Sequence, residues 1–208
     1  MRIAVFGAGG RVGQLVVAKA LGHGHDVFAA IHKTPLALEH PQLAKGQGDV
    51  RDLDFVRSVV KGADAVAFAL SSGSGARAHL HEAGIANVVQ AMAENDVSRL
   101  AVVSAAGTFA RADHRLSLAY RAWIAAAMGA IYDDLEAMER RIMATGLAWT
   151  IVRPYGLTDD PPTGHYRVSL DGSLLPKASR IPRGDVASLL VKALETDTYY
   201  RRAAVVAT

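Results

Sequence analysis

Seven residues near the amino terminus, Gly7-Ala8-Gly9-Gly10-Arg11-Val12-Gly13, have the composition of a turn that cradles phosphate. They follow a short apolar run, Arg2 to Phe6, that reads as a buried strand. They precede apolar residues at 12, 15, 16 and 20, a helical period. A turn placed so presents unpaired helix N–H groups and positive partial charge to an anion. The common dinucleotide fingerprint would put glycines at 7, 9 and 12, but position 12 is valine and the triplet here falls at 7, 10 and 13. Gly7 permits the tight turn, Gly10 lets a diphosphate approach the backbone, and Gly13 lets the helix pack closely. Gly9, Arg11 and Val12 complete the loop around that diphosphate.

The next strand, Asp26 to Ile31, selects the dinucleotide. A cofactor without a 2′-phosphate needs an acidic side chain at the far end of this strand for its ribose hydroxyls. His32-Lys33-Thr34 stands there instead. Asp26 begins the strand, about 16 Å away at roughly 3.3 Å per residue. Lys33, Arg11 and His32 suit a 2′-phosphate, so the expected cofactor is NADPH.

Positioning such a site requires alternating strands and helices, and the chain supplies them. Gly48-Asp49-Val50 ends a weak third strand, and Asp52 caps a helix marked by Leu53, Val56, Val59 and Val60. Ala65 to Leu70 is a fourth strand, Ser71 to Gly75 a loop, and Ala76 to Glu94 a long helix. Leu100 to Val103 and Ala148 to Val152 are strands separated by a mostly helical stretch from Tyr120 to Thr145. A helix over Asp185 to Leu194 and a strand over Ala203 to Ala207 follow. Strands this apolar are buried on both faces, as in a parallel sheet covered by helices. The expected fold is α/β: one Rossmann-like, doubly wound parallel sheet spanning residues 1–208, with helices on both faces. The rhythm breaks over 154–182, which holds five of the seven prolines. That segment is read as a small irregular lobe over the carboxyl edge of the sheet, where such folds bind ligands.

Composition narrows the function. Half of the 208 residues are hydrophobic and there is no cysteine, which excludes disulfides, thiolate metal sites and a cysteine nucleophile. No secretory signal and no membrane-spanning run is read, so the expected location is the cytoplasm. The net charge of +3 is scattered, which suits an anionic small molecule better than nucleic acid. The eight histidines show no metal-ligand spacing with a third group, so no metal is expected. Oligomeric state, monomer or dimer, is left open.

Together these motifs resemble an atypical short-chain dehydrogenase/reductase of the NmrA-like, NAD(P)-binding group. The resemblance rests on Gly7-x-x-Gly10-x-x-Gly13, Gly48-Asp49-Val50, the fifth-strand Val102-Val103-Ser104-Ala105-Ala106-Gly107, and Thr145-Gly146-Leu147-Ala148-Trp149-Thr150-Ile151-Val152-Arg153-Pro154. Within the group the chain is similar to the biliverdin-IXβ reductase/flavin reductase branch. That similarity rests on Asp133-Asp134 opening a helix, Pro162-Thr163-Gly164-His165-Tyr166 and Val168-Ser169-Leu170-Asp171-Gly172. The resemblance implies adenine contacts from Asp49 and Val50, and cofactor contacts from Leu70, Ser71 and Ser72 after the fourth strand. It also puts Ser104, Pro154 and Tyr155 beside the nicotinamide.

The chain departs from the wider family in lacking Tyr-x-x-x-Lys, since Tyr132 is followed by Glu136 and Tyr120 by Ile124. Hydride transfer needs mainly proximity. A flavin can take its proton from water, so flavin or a related conjugated acceptor such as biliverdin is the expected substrate rather than a bound cofactor. Ser104 and Tyr155 are the candidate catalytic residues. Arg111, His114 and Arg115 are read as a basic loop near the acceptor, and Trp123, Met128 and Met138 as packing. The alternative is a non-catalytic NAD(P)H-binding redox sensor. A carbonyl dehydrogenase would need a proton donor that the sequence does not show.

Overall fold

The computed structural model describes residues 1–71, 79–108, 117–178 and 180–208, with the side chains of 120, 123 and 124 left aside. The elements run β1 (Arg2–Phe6), α1 (Arg11–Gly22), β2 (Asp26–Ile31), β3 (Leu43–Gln47), α2 (Leu53–Val60), β4 (Ala65–Phe68), α3 (Leu80–Glu94), β5 (Arg99–Val103) and α4 (Leu118–Met143). They continue through β6 (Ala148–Pro154), β7 (Gly156–Thr158), β8 (Arg167–Ser169), β9 (Arg180–Pro182), α5 (Arg183–Glu195) and β10 (Arg202–Ala207). The main sheet has the order β3-β2-β1-β4-β5-β6-β10-β8. Its neighbours are parallel apart from β8, which pairs antiparallel with β10. The chain leaves β1 toward β2 on one side and returns to β4 on the other. Loops therefore diverge between β1 and β4, which opens a crevice at the carboxyl edge.

Successive residues of a strand enter opposite cores. In β1, Ile3 and Val5 join the layer of α1 and α5, with Val16, Val17, Leu189 and Leu190. Ala4 and Phe6 join the layer of α2, α3 and α4, with Val56, Ile85, Met92, Met138 and Ile142. Both faces are covered, which is why the strands read as unbroken apolar runs. Asp52 caps α2 as expected, accepting from the backbone N–H of Asp54 at 3.0 Å and Phe55 at 3.3 Å.

Three expectations change. The third strand is Leu43–Gln47, and residues 48–50 follow it as a turn into the crevice. Its half-polar sequence hid it because only one neighbour, β2, orders it. The segment 154–182 is more regular than its prolines suggest: β7 and β9 form a two-stranded parallel sheet, and β8 extends the main one. Asp185, buried at the start of α5, holds this lobe. It accepts from the Thr163 N–H and hydroxyl, both at 3.0 Å, and from the Gly164 N–H at 2.9 Å. Asp133-Asp134 does not open a helix but lies well inside α4. Part of the expected 76–94 helix falls outside the described residues, and α3 begins at Leu80. Among the described residues no helix is long and apolar enough to cross a membrane.

A buried ion pair joins β6 to α4. Arg153 donates from Nε to both Glu139 carboxylate oxygens at 3.1 Å, with a further bond from its terminal nitrogen. Glu139 is fully buried and Arg153 nearly so. Removing one member strands a charge without solvent. Arg153→Met and Glu139→Leu should therefore each lower the unfolding free energy by about 3–5 kcal/mol, while the double variant regains most of the loss. Urea unfolding of the four proteins measures this, and additive losses in the double variant would contradict it.

Candidate functional site

The glycine turn is shaped by backbone approaches that leave no room for a side chain. Gly7 has φ +80°, and a Cβ there would lie 2.5 Å from the Ala69 carbonyl oxygen beyond β4. A Cβ on Gly9 would lie 2.1 Å from the Thr34 carbonyl oxygen beyond β2. On Gly13 it would lie 2.1 Å from the carbonyl oxygen of Gly7 itself. Gly10 is different: its nearest neighbours would be the Gly7 oxygen at 3.2 Å and the Ala69 oxygen at 3.9 Å, so it sits at an open lip. Gly10 also caps α1, with no side chain bonded to the first turn and no acid in it. The first helical N–H groups have no intrahelical partner, and here they face the crevice with their partial positive charge intact.

The crevice holds a cavity of about 750 Å³, within the range of roughly 300–1,000 Å³ usual for small-molecule sites. Gly7, Gly9, Gly10, Arg11, Val12, His32, Lys33, Asp49, Val50, Leu70, Ser71 and Ser104 all line it. Gly13 is buried beneath the turn. Ser72 lies outside the described residues, as do Arg111, His114 and Arg115. Pro154 and Tyr155 do not line the cavity. The end of β6 is drawn against β10, where the Tyr155 N–H donates to the Val206 carbonyl at 3.1 Å. The Tyr155 hydroxyl donates to Leu175 of the lobe at 3.3 Å. Tyr155 is thus removed from the position beside the nicotinamide expected of it. Ser104 lines the cavity, buried, with its hydroxyl 3.4 Å from that of Thr108.

The charges along the cavity also sort differently from the sequence reading. The Arg11 guanidinium turns toward the lobe and pairs with Asp159 at 2.9 Å. Arg183, across the cavity mouth, pairs with the other oxygen of Asp159 at 2.6 Å. Arg11 therefore does not join Lys33 in a ready-made cluster. The end of β2 is left with His32 and the exposed Lys33. His32 Nε2 lies 3.6 Å from Asp49, whose carboxylate is gripped by Arg51 through bonds of 3.0 and 2.5 Å. That guanidinium holds the Asp49 carboxyl far below the usual range.

Two features escaped the sequence because their parts are distant along the chain. His81 of α3 lines the cavity, and its ring Nδ1 lies 2.8 Å from Asp134 of α4. The same carboxylate accepts from the backbone N–H groups of His81 and Glu82, both at 2.9 Å, and so caps α3 from another helix. Burial pushes the Asp134 carboxyl up, but the bonds from His81 and Glu82 outweigh it and hold it below its ordinary value. At the opposite edge of the sheet His23 Nδ1 and His25 Nε2 both bond Glu195 Oε1, at 2.7 and 2.8 Å. Along the chain these two histidines have no third partner near them.

Comparison with known proteins agrees with this geometry. A family model described as NAD(P)H-binding matches residues 7–197. An uncharacterized protein of Mycobacterium tuberculosis is 34% identical over 133 residues, which is 64% of this chain and 15% of that protein. The chain thus spans about 15% of the length of these curated relatives. The uncharacterized sugar epimerase YhfK of Bacillus subtilis is 26% identical over 98% of this chain and 92% of its own length. Among solved structures, a short-chain dehydrogenase/reductase of Veillonella parvula in complex with NADP has a TM-score of 0.83 at 18% identity, covering 100% of this chain and 94% of that one.

The turn makes a stability prediction. Gly13→Ala drives a Cβ into backbone that cannot yield cheaply, so it should lose about 1–3 kcal/mol as overpacking does. Gly10→Ala should lose distinctly less, because its Cβ would meet the Gly7 oxygen at 3.2 Å, a tight contact that a shift of a few tenths of an ångström relieves. Thermal unfolding of the two variants measures the difference, and equal losses would contradict the open lip at Gly10.

Proposed function

The chain belongs to the NAD(P)H-binding family, and on that premise we propose that it is an NADPH-dependent oxidoreductase that passes hydride to a flavin or a related conjugated acceptor such as biliverdin. The observation that carries this is the uncapped amino terminus of α1 opening, through Gly10, into a cavity that runs from Lys33 to Ser104. A dinucleotide laid across the switch point puts its diphosphate at that terminus. Its adenine end then falls to Asp49 and Val50 and its nicotinamide to Leu70, Ser71 and Ser104. The nicotinamide, when bound, supplies the hydride; the protein supplies orientation and shields the site from water.

The cofactor preference rests on Lys33 and the absence of an acid at the end of β2. The NADP in the Veillonella parvula structure supports the same choice in a protein of this fold. The acceptor is inferred from what the site lacks for carbonyl chemistry. No lysine occurs between Lys61 and Lys177, so α4 carries no Tyr-x-x-x-Lys pair. Although the Bacillus subtilis relative bears the name of a sugar epimerase, that pair, which the wider short-chain family uses on alcohols, is missing here. The cavity wall offers instead the apolar Leu80, Val103, Leu135 and Leu157, which suit a flat conjugated ring.

Anaerobic stopped-flow mixing with NADPH and, in turn, FMN, riboflavin and biliverdin tests the reading, with oxidation of NADPH expected. Tight NADPH binding without turnover of any acceptor would favour the redox-sensor alternative. Cofactor choice is tested by titrating NADPH and NADH. With Arg11 engaged by Asp159, the preference rests on one charge-assisted bond at an exposed site, about 1.5 kcal/mol. At 1.4 kcal/mol per decade that is about tenfold in Kd. Lys33→Glu should abolish the preference, mainly by weakening NADPH, and added salt should shrink it. Equal affinities in the unaltered protein would refute the assignment.

A further inference from the structure

Reduction of a flavin or tetrapyrrole takes up a proton as well as a hydride, and the cavity contains one group arranged to deliver it. His81 is 3% exposed, yet it forms part of the cavity wall with Leu80, Leu135, Val103 and Ser104. Its Nδ1 is committed to Asp134 at 2.8 Å. Because the Asp134 carboxylate can only accept, Nδ1 must carry a hydrogen, and the ring is fixed in one tautomer and one orientation. Nε2 has no hydrogen-bonding partner among the described residues. Asp134 is itself held by two backbone N–H groups at the amino end of α3. The ring is thus braced by a carboxylate that is braced by a helix.

Neighbouring charges do not interrupt this arrangement. Glu82 is paired with Arg141, whose Nε lies 3.0 Å from its carboxylate, and Arg183 is paired with Asp159. A polar ring buried in an apolar wall costs stability unless it is satisfied.

We propose that His81 is the proton donor of the reaction, with Asp134 as the residue that positions it; this rests on the reductase reading above. In its imidazolium form His81 carries hydrogens on both Nδ1 and Nε2; the acceptor takes a hydride at one ring atom and the Nε2 proton at a ring nitrogen. His81 is left neutral, keeping the hydrogen on Nδ1 shared with Asp134, and regains its Nε2 proton from water. The acceptor gains two electrons and two hydrogens, matching the hydride lost by the nicotinamide and the proton lost by His81. The class of acceptor extends accordingly to any conjugated ring whose reduced form must be protonated inside the cavity.

The test combines kinetics and spectroscopy on the full chain. In single-turnover reduction of FMN by NADPH, His81→Gln should slow the reaction about a hundredfold, within the usual range for a positioned acid. NADP⁺ binding, followed by fluorescence, should be little changed, and the unaltered protein should be slowed in D₂O whereas His81→Gln should not. Asp134→Asn should give a smaller loss in the same step. Because Asp134 also caps α3, that variant is read beside ¹⁵N NMR of the unaltered protein. There His81 Nδ1 should stay protonated whether the ring is neutral or charged, and the Nε2 shift should respond to NADP⁺. Undiminished turnover of FMN in His81→Gln overturns the inference while leaving the reductase reading in place, as does a His81 ring that ignores NADP⁺. No turnover of FMN, riboflavin or biliverdin by the unaltered protein overturns the reductase reading itself and this inference with it.

Discussion

The site depends on how closely backbone can approach backbone where β1 ends. At Gly7 the turn presses on the exit of β4, at Gly9 on the exit of β2, and at Gly13 the first turn of α1 presses back on Gly7. A side chain at any of these positions would push against the backbone it meets there. With these approaches closed, α1 starts directly over the switch point, and its uncapped N–H groups have a fixed direction. The cavity exists because the same loops that converge on the turn diverge beyond it, β2 and β3 to one side and β4 and β5 to the other.

Around that fixed turn, buried carboxylates tie the neighbouring elements together. Asp134 ties α4 to the start of α3, and Asp185 ties α5 to the Thr163-Gly164 corner of the lobe. Glu139 ties α4 to β6 through Arg153. Each carboxylate accepts several hydrogen bonds, which is what makes a buried charge tolerable there. Asp159 differs, because its pairs with Arg11 and Arg183 cross the mouth of the cavity at a largely solvent-exposed carboxylate. Such exposed pairs contribute little to stability. They do determine which way Arg11 points, and so which cations are left for the far end of a dinucleotide.

The difference between a fixed turn and a site of several distant parts also explains the chemistry. Orientation of a dinucleotide is local to one strand–turn–helix unit. The proposed proton donor, by contrast, is assembled by α3 and α4 from residues 53 positions apart. Ser104 sits close by, with its hydroxyl next to that of Thr108 in its own loop and its N–H bonded to Val152 of β6.

The sequence by itself determined the parallel sheet, its helices, the glycine turn and the unacidic end of β2, because each is written in neighbouring residues. Apolar runs, helical periods and glycine spacing are all local signals. Most of the residues expected to surround a cofactor do line the cavity for the same reason: they lie at strand ends, and strand ends share one edge of a parallel sheet. Only the tertiary structure decided matters that turn on partners. It ordered the half-polar β3 against β2, withdrew Tyr155 to the lobe, drew Arg11 to Asp159, and joined His23 and His25 to Glu195. It also set His81 against Asp134 in the cavity wall. In the sequence these are isolated polar residues of ordinary appearance, since a hydrogen bond between distant segments leaves no periodicity. Its partner is chosen by the packing of helices across the sheet, and that packing exists only once the chain has folded.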